Sequence, residues 1–369
     1  MENKATYFPQ LDGLRFFAFL AVFIHHAPVI KAIPGWKEFS DIGWVGVDLF
    51  LCLSAFLFVY LLQMEYQQTG GIKILMFYLR RALRIWPAYF LTATLIIFIS
   101  YWEKGADGFS LIRVLGLTTF TDNILSSLRI YNPLNDFSGH LWTISYEEQV
   151  YLFIPIFLSF MFPRNSRFQA FIIFSLLTIG TVIRALFIHF SIPHPAIWEL
   201  PVTHFESVLL GLMVGLGLYD QALKKLPGWI PALMGVAMLG SIALLPYIKI
   251  ISWHLMVIYP LVGLGTSFLV YSVVRFKDQT WIRWIGAKPL AYLGKISYGL
   301  YLYHLPTLVL VGNMIQQVRP DAKEGIKPTL IFTLALAITV ITSIISFEVF
   351  EKPFLVLKKR FSIILSRPV

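Results

Sequence analysis

Charged residues are scarce in this chain. Asp, Glu, Lys and Arg make up 14% of 369 residues while hydrophobic residues reach 57%, whereas an ordinary soluble domain has about 25% charged residues. A surface wetted on all sides cannot be built from that supply, which excludes a conventional soluble protein and leaves an integral membrane protein. Cysteine is rarer still. The single Cys52 excludes an intramolecular disulfide, and inside an apolar run it reads as a small buried hydrophobe. Acidic residues are outnumbered, 20 against 30 Lys and Arg, for a net charge of +10. No internal repeat is visible, which argues against the inverted duplications common in transporters. The first apolar run has no small-residue cleavage pattern and contains Arg15, so it is expected to remain as a span.

Long apolar runs are what the chain has in quantity. Windows of about 19 residues place spans near residues 14–32, 43–63, 82–101, 141–162, 168–190, 203–219, 229–247, 252–274, 289–313 and 329–350. The expected fold is an all-α integral membrane protein, a bundle of about ten transmembrane helices forming one domain over residues 1–369 with no appended soluble domain. Gly211, Gly215 and Gly217 suggest close helix packing in the sixth span. With the N-terminus inside, most of the 30 basic residues, Lys4 and Arg15 among them, fall on the inner side. That bias predicts both termini in the cytoplasm and a location in the cell membrane. It also accounts for the positive charge without nucleic acid as a partner. The longest outside segment, residues 102–140, is too apolar for plain linker and suggests a re-entrant or interfacial piece.

Ionisable residues at membrane depth are costly and normally line a cavity or pair with one another. This chain has many. In LRFFAFLAVFIHHA, Arg15 and His26 are 11 positions apart, about 16 Å along a helix and only about 20° apart in rotation, with His25 turned about 80° away. Asp48 follows in GVDLF, and His140, Glu147 and Tyr151 share a face of the fourth span if its helix extends back that far. Arg184, His204, Glu206, and then Ser297, Tyr301 and His304 at helical spacing complete the set. Arg15, Arg80, Arg81 and Arg84 collect at the inner surface. The combination predicts a polar cavity at and beyond the membrane midplane, basic at one end and His/Glu-lined at the other. Each group also has a plainer reading: interface anchors for the arginines, a packing ion pair for Asp48 or Arg184, a bundle hydrogen bond for a lone histidine. A metal held by His25, His26, His140, His204 and His304 is not expected, because no HxxxH or HExxH pair falls on one helix. A proton-coupled secondary transporter or flippase using the same groups is the alternative reading.

The motifs resemble those of the acyltransferase-3 family of membrane O-acyltransferases. LDGLRFFAFLAVFIHHA is similar to the family's first span, where an Arg is followed after ten residues by a His, a spacing that selects Arg15 and His26. GVDLFLCLSAFL, FYLRRALRIWPAYF, LWTISYEEQVYLFIP, ISYGLYLYHLP and FEVFEKPF resemble later family segments in the same order, from Leu11 to Phe354. Ala55 and Leu51 stand where the family usually has Gly and Phe, so acceptor preference is not carried over there. The resemblance implies transfer of an acyl group, commonly acetyl from acetyl-CoA, to a hydroxyl of a carbohydrate or glycolipid. No permanently bound cofactor is implied; the partners are acyl-CoA, that acceptor and membrane lipids. Arg80, Arg81 and Arg84, with Arg15, would hold the CoA phosphates. His26 would accept the hydroxyl's proton and return it to the thiolate, or be acylated itself. Glu147, or Glu148, would orient His26. Asp48, Ser54, Trp142, Glu148, Ser297, Tyr301 and His304 are expected in support.

Overall fold

The computed structural model describes residues 7–105, 110–128, 137–319 and 326–364; Lys4 and parts of the 102–140 segment lie outside the described residues. Among those described there is no strand. The chain opens with α1 (Pro9–His26), the short α2 (Trp36–Ile42), α3 (Val45–Thr69) and α4 (Ile74–Lys104). Then come α5 (Leu111–Thr118), α6 (Asp122–Ser127), α7 (Trp142–Met161), α8 (Ser166–His189) and the single turn α9 (Ala196–Glu199). They lead to α10 (Glu206–Gly215), the turn α11 (Asp220–Leu223), α12 (Trp229–Ser241) and α13 (Leu255–Arg275). The turn α14 (Thr280–Arg283), α15 (Lys288–Lys295), α16 (Ser297–Val318) and α17 (Ile326–Ile345) follow, and α18 (Lys352–Lys359) is joined to α17 by a π-helical stretch at Ser346–Glu351.

Among the described residues five helices are long and apolar enough to cross a membrane: α3, α4 from Ile74 to Trp102, α8, α13 and the continuous rod Ile326–Lys359. On α8 and α17, Phe171, Phe174, Leu334 and Ile341 remain exposed, as lipid-facing side chains are. The protein is a multi-pass membrane protein. Helices α1, α7 and α16 are 18, 20 and 22 residues long but outside that apolar set. They carry Arg15 and His26, Glu147 and Glu148, and Tyr301 and His304. Helices screened from lipid by neighbours tolerate such residues, provided these face one another or a cavity.

Local sequence explains where the helices differ from the expected spans. Helix α1 begins at Pro9, whose missing N–H costs nothing in a first turn, and stops before Pro28, with Ala27 already extended at φ −75° and ψ 155°. His26 is therefore in its last turn. Helix α4 starts eight residues before the expected span at 82, so its arginines are helical. The ninth span is two helices separated at Ile296. The sixth contains only the 10-residue α10, about 15 Å long, too short for a hydrocarbon core of about 30 Å. His140 precedes the first residue of α7, Trp142, and so shares no helical face with Glu147.

Glycines let the helices meet closely. A Cβ at Gly294 of α15 would stand 1.7 Å from the Asp12 carbonyl oxygen of α1, and one at Gly211 of α10 would stand 2.6 Å from the Cys52 carbonyl of α3. Ala55 faces this same Gly211 seam and is buried; its methyl fills a helix contact, not an opening. Arg184 is buried in the bundle, 2.5 Å from Glu206, 4.7 Å above the Tyr259 ring and donating to the Thr203 carbonyl at 2.8 Å. This pair ties α8 to α10 and α13, the packing role weighed for it from sequence.

Candidate functional site

Helical periodicity gathers one polar face from each of five helices. On α4, Arg81 and Arg84 are three positions apart and share a side; on α7, Thr143, Glu147 and Tyr151 recur every four, as do Ser297 and Tyr301 on α16. With Arg15 of α1 and Ser54 of α3 they line an opening of about 640 Å³. Arg15, Ser54, Arg81 and Arg84 also border a second opening of about 630 Å³, together with Asp12 and Lys358. Arg15 lies 3.4 Å from Asp12, Tyr151 donates to Glu147 at 2.7 Å, and the Arg81 guanidinium stands 4.2 Å above the Phe58 ring. Glu148 points the other way, accepting from Trp86 Nε1 at 3.1 Å. Of the two adjacent glutamates, Glu147 is the one that faces the opening.

Arg80 does not join this group. One helical step turns it away from Arg81, toward Glu65, which it meets at 2.9 Å, and it donates to the Phe361 carbonyl at 2.9 Å. Arg80 thus joins the stretch after α18 to α3 and α4, and it borders, with Arg81 and Lys358, a third opening of about 460 Å³. Two other expected supports meet residues outside this opening. Asp48 accepts from Ser207 at 2.5 Å and meets His204 Nε2 at 2.8 Å. Trp142 packs against Trp198, with ring centroids 5.5 Å apart.

The histidines form a separate cluster. His25 turns to the Ser40 carbonyl at 2.7 Å, toward α2, whereas His26 turns to His304 of α16, the divergence that rotation about α1 requires. A carbonyl oxygen only accepts, so each ring nitrogen facing one carries the proton. His304 Nδ1 faces the Tyr301 carbonyl at 2.6 Å, which leaves its Nε2 as an acceptor. His26 Nδ1 lies 3.0 Å from the Val22 carbonyl and 3.3 Å from His304 Nε2, so its N–H is shared between them. His26 Nε2 is left with its lone pair. The His26 side chain is exposed, while His304 and, behind it, His140 are buried. Glu147, expected to orient His26, is not among its hydrogen-bond partners; His304 takes that place.

Tyr301 and Phe50 stand between the arginine-lined opening and the histidines. Their ring centroids are 6.2 Å apart, Tyr301 lies 5.4 Å from His304, and its hydroxyl meets Thr143 at 2.7 Å. Among the described residues no three His, Cys, Asp or Glu side chains gather as a metal ion would require. Sequence reasoning missed Thr143 and Lys358. Thr143 was legible in the four-residue period with Glu147; Lys358 carried no signal beyond the positive charge of the tail.

The acyltransferase-3 model, an acyltransferase domain, matches residues 8–348. A Staphylococcus aureus strain COL protein named as a candidate O-acetyltransferase is 28% identical over 376 residues, covering 95% of this chain and 58% of its own length. The O-acetyltransferase OatA of Staphylococcus aureus strain NCTC 8325 is 26% identical over 363 residues, covering 94% of this chain and 57% of its own. The chain thus spans little more than half the length of these relatives. No solved structure matches it. With the family model matching most of its length and both relatives named for O-acetyl transfer, the chain belongs to the acyltransferase-3 family.

Proposed function

We propose that the protein is a membrane O-acyltransferase that moves an acyl group, acetyl in the simplest case, from cytoplasmic acyl-CoA to a hydroxyl of a carbohydrate or glycoconjugate. In this reading both termini are cytoplasmic. Arg15, Arg81 and Arg84 receive the CoA diphosphate, because guanidinium forks match phosphate oxygens bidentately. The pantetheine arm then runs past Ser54 and Tyr301 toward His26. His26 Nε2 accepts the proton of the acceptor hydroxyl as its oxygen attacks the thioester carbonyl. The tetrahedral intermediate collapses by breaking its carbon–sulfur bond, and the proton on Nε2 passes to the leaving sulfur, giving the ester and free CoA. His304 positions His26 by accepting its Nδ1–H and stabilises the imidazolium as it forms. Both staphylococcal names support acetyl as the group moved.

The observation that carries this reading is the unprotonated Nε2 of His26, a residue at an exposed position held in that tautomer by Val22 and His304. The test uses purified protein in lipid nanodiscs supplied with labelled acetyl-CoA. Wild type releases CoA and transfers or hydrolyses the acetyl group; His26→Ala is expected to lose at least about a hundredfold in turnover at an unchanged melting temperature. Full turnover by folded His26→Ala, or solute movement without CoA release, would overturn the reading.

A further inference from the structure

We infer that Lys358 completes the donor site by binding the ribose 3′-phosphate of CoA, the phosphate farthest from the thioester; the inference rests on the acyl-CoA reading above. The basic residues at this end of the bundle differ in what they face. Arg80 is held by Glu65 and the Phe361 carbonyl, Lys352 by Glu348 at 2.7 Å, and Lys295 lies 5.2 Å above the Phe347 ring. Lys358 borders open space on two sides, whereas Arg80, which borders one of the same openings, has its guanidinium engaged. Lys358 stands beside Arg81 on the opening that contains Arg15 and Ser54, and again on the third opening that runs past Glu65 to Ser362. It does not border the opening of Glu147 and Tyr301, which approaches the histidines.

Lys358 therefore marks the end of the passage away from the chemistry, and Arg81 and Arg84 mark its middle. Coenzyme A has the same order: thioester, pantetheine arm, diphosphate, then a phosphate monoester on the ribose. An ammonium on a flexible stem suits such a terminal phosphate as a point charge, while the stacked guanidinium of Arg81 suits the diphosphate. Arg80 gains a role as well. By holding the Phe361 carbonyl just beyond the end of α18, it clasps Lys358 against α4.

The test compares binding of CoA and 3′-dephospho-CoA to the full chain in nanodiscs. Wild type is expected to prefer CoA about tenfold, the scale of one added charge-assisted contact. Lys358→Gln is expected to bind both ligands with the wild type's dephospho-CoA affinity, and Lys358→Arg to restore the preference. Arg81→Ala should weaken both ligands while keeping their ratio. A Lys358→Gln protein that still prefers CoA tenfold, or that loses affinity for both ligands equally, overturns the assignment. Wild type that binds neither ligand overturns the donor reading, and the assignment of Lys358 with it.

Discussion

At His26 the protonation pattern is set by two acceptors, the Val22 carbonyl at 3.0 Å and His304 Nε2 at 3.3 Å. The first belongs to the helix backbone and survives any substitution; the second is a side chain and can be removed. His304→Phe keeps a buried ring but no acceptor, and the His26 Nδ1–H then relies on the Val22 carbonyl alone. Turnover should fall about 10- to 100-fold, the kinetic weight of one buried hydrogen bond to a group that becomes charged, with the KM for acyl-CoA unchanged. His304→Gln, whose amide oxygen can accept, should recover part of the loss. Steady-state kinetics in both substrates decide it; an unaltered kcat in His304→Phe would leave that ring a packing role only. The sequence made half of this arrangement legible. A step of about 100° separates His25 from His26, and the same step separates Arg80 from Arg81, so both divergences follow from helical geometry alone. The His26–His304 contact joins residues 278 positions apart, and nothing local to either announces it.

Between elements, backbone contact matters more than side-chain fit. Gly294 brings α15 against the Asp12 carbonyl of α1, one turn from Arg15. A methyl there meets backbone, which cannot swing aside, so α1 and α15 must separate. Gly294→Ala is expected to cost about 1–3 kcal/mol and, by displacing Arg15, to weaken acyl-CoA binding too. Gly240 of α12 has nothing within 4 Å of its would-be Cβ, so Gly240→Ala should be neutral or stabilising by up to about 1 kcal/mol. Thermal unfolding of both variants in detergent checks the contrast; equal midpoints would refute it. Helix positions were legible because apolar windows find any buried helix. Their status as spans was not: hydropathy does not distinguish the 10-residue α10 with its following turns from a crossing helix, nor the break at Ile296 from a continuous one. Both differences are matters of a few backbone angles within an unbroken apolar stretch.

For the molecule as a whole, the class and the order of the motifs were written in the chain, but the convergence of α1, α3, α4, α7 and α16 on one opening depends on packing between segments far apart in sequence. The proposed orientation can be read directly, because the single Cys52 is fully buried and silent to reagents. Lys37→Cys and Lys359→Cys, both at exposed positions, provide the two probes. A membrane-impermeant maleimide should label the first in intact cells and the second only after the membrane is opened; the reverse pattern would invert the topology. The aromatic partition of Phe50 and Tyr301 bears on the living cell. Arginines below and histidines above would, if joined by a continuous file of water, let protons run down the membrane potential. In the proposed reading these two rings close the middle, so that an acyl group would cross the bilayer as through an airlock while the membrane keeps its charge.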